Sequence, residues 1–235
     1  IDTMMAPIDS IRYVKSYLRA GFMSMDPKTG AVKAYVGGLD YTHFMYDMVT
    51  GGRRQVGSTI KPFLYALAME NGFTPCSMAP NVQQTYTVGN QTWTPRNTNR
   101  KRYGEMVTLK WGLAQSNNWI SAYLMSKLNP QQFVTKLHEF GIDNPEIVPS
   151  MALCLGPCEV SVAEMVSAYT TFVNKGIRSA PMFVSRIEDN EGNVITDFQP
   201  RMNEVINAES ADRMLVLLKG VVDGGTAGRL RYRYN

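Results

Sequence analysis

The most reactive combination in this chain is Gln55-Val-Gly-Ser58-Thr-Ile-Lys61-Pro-Phe63, which sets a serine hydroxyl three residues before a lysine amine. A glycine turn meets a helix start there, and residues three apart on a helix share one face, so the amine can reach the hydroxyl. A serine hydroxyl is a weak nucleophile, and a neutral lysine beside it can take its proton. The helix N-terminus adds positive potential where negative charge develops. Pro62 falls early in the helix, where the hydrogen bond it forfeits is partly unmade anyway. Alone, S-x-x-K is a weak signal, because an N-cap serine followed by an exposed lysine spells the same letters.

A second cluster, Ser116-Asn117-Asn118, falls between two helical patterns. In isolation it reads as helix capping, for which Ser and Asn are favoured. Beside a serine nucleophile, such a serine can relay protons and the second asparagine can position a substrate amide. The candidate catalytic residues are therefore Ser58, Lys61 and Ser116, and Asn118 is the candidate substrate-binding residue.

Elements must hold these residues. Asp9 or Ser10 can cap a helix running to about Ala20, and Phe22–Met25 and Ala31–Val36 read as strands joined by the turn Asp26-Pro-Lys-Thr-Gly30. From Ser58 the pattern turns helical, with Phe63, Leu64, Leu67 and Ala68 on one face and Asn71-Gly72 as a stop. Thr74–Glu105 has no sustained periodicity, and a long irregular loop in a compact domain usually lines a site. Helical signals follow at Thr108–Ala114, at Trp119–Lys127, and from Asn129-Pro130 to Gly141. Ser161-Val-Ala-Glu164 is a capping box ahead of Met165, Ala168, Tyr169 and Phe172, with Lys175-Gly176 as the end. Met182–Glu188 and Val194–Phe198 flank a second hairpin turn, and a last amphipathic helix covers Ala208–Val222. This order predicts an α/β (α+β) domain: an antiparallel sheet with a helical lobe over roughly residues 74–175.

Composition narrows the classes. With 44% hydrophobic and 19% charged residues, the 235-residue chain suits one large folded domain. A net charge of +4 without a Lys/Arg stripe argues against nucleic acid. Arg53-Arg54 and Arg229–Arg233 are the basic clusters, either solvated surface or groups near a site that receives carboxylates. No run of apolar residues is long enough to span a membrane. The chain opens on Ile1 without a signal peptide and reads as a piece of a longer protein. Cys154 and Cys158 are spaced closely enough for a disulfide, leaving Cys76 over, but buried free thiols are the simpler account. His43 and His138 lie far apart, so neither a metal site nor a cofactor is expected.

S-x-x-K followed by S-x-N resembles the motif set of penicillin-binding proteins and class A β-lactamases, whose third member is K-T-G. Longer stretches resemble class A penicillin-binding proteins: Asp26–Gly38 their first hairpin, Thr94-Pro-Arg-Asn97 and Val107–Asn118 the approach to their second motif, and Leu155-Gly156 with Glu164–Gly176 a later helical segment. The resemblance implies a serine D,D-transpeptidase that cross-links peptidoglycan. Ser58 would attack the penultimate D-Ala carbonyl of a D-Ala-D-Ala stem peptide, its own N–H supplying one oxyanion donor. Lys61 would act as base, Ser116 would pass a proton to the leaving group, and Asn118 would hold the donor peptide. β-Lactam antibiotics would acylate Ser58 as mimics. It further implies a parent that polymerises glycan, is anchored in the cytoplasmic membrane by an N-terminal helix, works on the periplasmic or extracytoplasmic face, and meets other cell-wall synthesis proteins.

The pattern departs from the family in one place. The chain's Lys-Thr-Gly is Lys28–Gly30, before Ser58 and in a turn, whereas the third motif belongs on a strand after Asn118. Asp223-Gly-Gly-Thr-Ala-Gly228 resembles the segment shortly before that strand. The expectation is a truncated cleft and an incomplete sheet, with little activity in this piece although its parent is active. A serine β-lactamase would need a water-activating carboxylate, for which Glu105 is the candidate in the long loop. A D,D-carboxypeptidase differs in using water as acceptor, and a non-catalytic penicillin-binding sensor or scaffold would keep the site without turnover.

Overall fold

The computed structural model describes residues 4–42, 44–88, 91–98 and 100–233. Helix α1 (Pro7–Ser16) begins at a proline, whose fixed φ suits the first helical position. It therefore starts before the Asp9 or Ser10 cap suggested by the sequence, and Tyr17 turns extended well short of Ala20. Strands β1 (Phe22–Met25) and β2 (Val32–Val36) pair antiparallel, with Phe22 opposite Val36. The Asp26 carboxylate accepts the Lys28 and Thr29 N–H groups, and Gly30 closes the turn at φ 75°. Strand β3 (Arg53–Gln55) leads through a 3-10 turn (Gly57–Ile60) into helix α2 (Lys61–Glu70).

Residues 74–105 are less irregular than their composition suggests. Strands β4 (Met78–Pro80), β5 (Tyr86–Val88), β6 (Gln91–Trp93) and β7 (Met106–Thr108) form two ribbons, β4 with β7 and β5 with β6. Helices α3 (Leu109–Ala114), α4 (Asn118–Lys127) and α5 (Pro130–Glu139) follow, capped by the side chains of Thr108, Asn117 and Asn129. After a 3-10 segment (Met151–Leu155), strand β8 (Glu159–Ser161) pairs with β3. Helix α6 (Val162–Val173) carries the expected capping box, with Glu164 and Ser161 bonded reciprocally.

The chain then forms β9 (Ile177–Ser179), β10 (Arg186–Glu188), β11 (Val194–Asp197), β12 (Met202–Glu204), α7 (Ala208–Gly224) and α8 (Arg229–Arg233). Among the described residues every named strand pair is antiparallel, as separate two-stranded ribbons.

The core forms around α2, in which Lys61 through Met69 are all buried. A helix apolar on every side has to be surrounded, and α4, α5 and α7 pack around this one. Phe63 meets Phe140 at 4.8 Å, Tyr169 at 5.2 Å and Phe172 at 5.7 Å between ring centroids, which locks α2 to α5 and α6. Each such ring contributes roughly 1.5–3 kcal/mol by burial. The helix that carries Lys61 is therefore firmly held by the core.

Candidate active site

Gly57 takes φ 57° at the junction of β3 and the 3-10 turn, a left-handed backbone that glycine adopts without strain. The turn then presents Ser58 at the surface, with its hydroxyl free of hydrogen bonds to the described residues. Ser58 stands three residues before Lys61, the first residue of α2, and among the described residues no hydrogen bond joins the two side chains. Lys61 is only 1% exposed.

The second cluster is a helix stop fused to a helix start. The Ser116 N–H bonds to Leu113 O at 2.9 Å and the Asn117 N–H to Gly112 O at 2.9 Å, the paired bonds of a Schellman motif ending α3. Glycine usually fills the left-handed position of that motif. Here Ser116 does, at φ 50°. Asn117 then caps α4 through bonds from the Trp119 and Ile120 N–H groups.

This stop and start brings three of the four candidates together, Lys61, Ser116 and Asn118, and leaves Ser58 outside their hydrogen bonds. Lys61 Nζ donates to Ser116 O at 2.6 Å, to Ser116 Oγ at 3.1 Å and to Asn118 Oδ1 at 2.7 Å, so each ammonium proton has an acceptor. Burial lowers the Lys61 pKa to about 8. The Cys154 thiol, 0% exposed, opposes that shift only when ionised, and burial pushes it up to about 12. It is therefore neutral whenever Lys61 titrates. The arrangement can store a proton on Lys61, pass it along Ser116 Oγ, and leave an open hydroxyl above.

The long loop is strapped beneath this group. Asn118 Nδ2 donates to Arg96 O at 2.8 Å, its N–H to Asn97 Oδ1 at 3.2 Å, and Trp119 Nε1 to Pro95 O at 3.1 Å. Among the described residues one Asn118 amide proton has no acceptor, which leaves it for a ligand. Buried Asn117 donates to Asn81 Oδ1 at 2.8 Å, and Asn81 donates in turn to Lys101 O and Arg102 O. Asn81 escaped the sequence reading because a lone Asn in a polar loop carries no pattern.

Residues 20–234 match the family described as the penicillin-binding protein transpeptidase domain. The chain belongs to this family. Penicillin-binding protein 1A of Aquifex aeolicus (strain VF5) is 33% identical over 214 residues, 90% of this chain and 29% of that protein. Penicillin-binding protein 2D of Bacillus subtilis (strain 168) is 33% identical over 211 residues, 88% of this chain and 30% of that one. The chain thus spans less than a third of these relatives. Among solved structures, penicillin-binding protein 1A from Haemophilus influenzae superposes with a TM-score of 0.86 at 26% identity, covering 92% of this chain and 38% of that one.

Other residues weighed in the sequence fall elsewhere in this transpeptidase domain. Lys28 lies exposed in the β1–β2 turn, where Gly30 is tucked against Ala180 O. Glu105 is exposed and paired with Arg102 at 2.8 Å. All three cysteines are free, but of the thiols expected to be buried only Cys154 is, Cys158 being half-buried and Cys76 exposed. Among the described residues no group of three His, Cys, Asp or Glu could hold a metal ion, and His43 lies outside them. No helix among them is long and apolar enough to cross a membrane.

The sequence reading also missed the segment that props the turn carrying Ser58. The Gly57 N–H bonds to Gly156 O at 3.0 Å and the Val56 N–H to Cys158 O at 2.9 Å, continuing the β3–β8 ribbon up to Ser58. Glu159-Val-Ser161 is too short to show an alternating pattern, so only its partner strand reveals it.

Proposed function

We propose that this domain is the D,D-transpeptidase module of a peptidoglycan synthase, working through an acyl-enzyme on Ser58. The carrying observation is Lys61, buried beneath the nucleophile turn, bonded to Ser116 and Asn118, with its pKa drawn down to about 8. Lys61 takes the Ser58 proton as the hydroxyl attacks the penultimate D-Ala carbonyl. Ser116 Oγ, already bonded to Lys61, passes that proton to the leaving D-Ala nitrogen. The free Asn118 amide proton holds the donor peptide. An amine of a neighbouring stem then takes the acyl group and closes the cross-link. β-Lactams enter the same path and stop at the ester.

The wall that would bind the substrate carboxylate belongs, in this reading, to strands of the parent that lie outside these residues. In support, the D,D-transpeptidase domain solved from Eggerthella lenta, alike in fold at a TM-score of 0.76 and 19% identity, is matched along 94% of this chain but only 65% of its own length. The helical lobe is assigned to about residues 74–175, and the parent to the extracytoplasmic face of the membrane, with a glycan-polymerising domain and other cell-wall synthesis proteins as partners. Glu105, exposed and paired with Arg102, gives a β-lactamase reading no support.

Fluorescent penicillin tests the assignment. Ser58 of the full-length protein should be labelled, and Ser58→Ala should stay dark. Burial lowers the Lys61 pKa, so the neutral base is scarce below about pH 8 and plentiful above it. Acylation should therefore climb about tenfold per pH unit up to about 8 and then level off. Labelling that survives Ser58→Ala, or a rate flat across this range, would sink the assignment.

A further inference from the structure

Helix α6 supplies no reacting group, yet it holds the segment around Ser58 at two points, one through the Arg53 side chain and one on the turn's own backbone. Near its start, Glu164 Oε1 accepts from Arg53 Nη2 at 3.0 Å, upstream of the nucleophile. Further along, the Tyr169 hydroxyl donates to Thr59 O at 2.8 Å, one residue past Ser58. The upstream side of the turn is already held by backbone bonds to Gly156 and Cys158. Among the described residues, Tyr169 makes the one side-chain hydrogen bond to the Gly57–Ile60 turn from another element.

The tyrosine is held rigidly enough for this bond to transmit position. Its ring stands edge-on to Phe63 at 5.2 Å and to Phe172 at 5.6 Å, which fixes both side-chain torsions. Burial pushes its phenol up to about 12, so it remains a donor while Lys61 titrates. The half-buried phenol could also satisfy itself with water, so its bond to protein is not forced by burial. The choice of partner argues for more: the carbonyl belongs to the turn that aims the nucleophile.

We infer that Tyr169 is a positioning residue for acyl transfer, whose hydroxyl sets the pitch of the 3-10 turn and so the height of Ser58 Oγ above Lys61 Nζ. The inference rests on the assignment of Ser58 as nucleophile. Tyr169→Phe keeps the ring and its packing and removes only the bond to Thr59. In the full-length protein, rapid-mixing acylation by a penicillin should separate the affinity of first binding from the rate constant of ester formation. The rate constant should fall about tenfold, since misplacement well under 1 Å is costly at a reacting centre. Initial affinity and the midpoint of the pH profile should stay at wild-type values.

A wild-type rate constant in Tyr169→Phe, with Ser58→Ala dark, would overturn the positioning role and leave the nucleophile standing. Loss of affinity in proportion to rate, or a displaced midpoint, would also overturn it, by exposing a general disturbance of the cleft. Labelling that persists in Ser58→Ala removes the nucleophile assignment and this inference together.

Discussion

Ser116 keeps a left-handed backbone at φ 50°, a conformation that costs a residue with a Cβ about 1 kcal/mol or more. The strain has a product: the carbonyl and the hydroxyl of one residue both reach Lys61 Nζ. Ser116→Gly separates the two effects. The backbone relaxes, so the melting temperature should hold or rise by about 2–4 °C, while loss of the hydroxyl proposed as the relay should slow acylation about a hundredfold. A variant melting several degrees lower would show that the turn is not strained. At this scale the sequence was most informative, because Ser58, Lys61, Ser116 and Asn118 are named by type and spacing. It did not show that Asn118 divides its amide between Lys61 and the Arg96 carbonyl.

The elements around Ser58 meet through glycines. Gly156 has φ 70°, and a Cβ there would stand 2.2 Å from Gly57 O and 2.7 Å from Gly57 N, backbone atoms of the turn that carries Ser58. A Cβ on Gly57 itself would meet nothing within 4 Å. Gly156→Ala should therefore cost about 2–4 kcal/mol, from the unfavourable φ and from overpacking together, and depress acylation as the turn is pushed outward. Gly57→Ala should cost only about 1 kcal/mol for its φ. Thermal melts of the two variants compare them directly, and equal losses would refute the close approach. Helices of this size were legible because caps and stops such as Ser161, Glu164, Asn71 and Gly141 announce themselves. Three-residue strands were not, since their identity comes from the partner across the ribbon.

At the scale of the whole molecule, distant parts are tied by Lys136, which pairs with Glu70 of α2 at 2.9 Å and Glu139 of α5 at 2.6 Å and donates to Val205 O at 3.0 Å. Burial opposes its charge, but the bonds to both glutamates outweigh this and raise its pKa. Lys136→Met should strand those carboxylates, cost about 2 kcal/mol, and lower the melting temperature by about 4–8 °C. Acylation at a permissive temperature should not change, and a slower rate would show that this tie reaches the active site. The amino-acid sequence by itself carried the resemblance to the family in its recognised motifs, and it placed the S-x-x-K pair and the helices through local spacing and the periodicity of apolar residues. Only the tertiary structure decided what surrounds Ser58: the three acceptors that hold Lys61, the Asn81 bond beneath Asn117, and the Gly156 and Tyr169 contacts on the nucleophile turn. Those groups lie tens of residues apart along the chain. Burial and hydrogen bonding choose among such partners only once the core around α2 has closed.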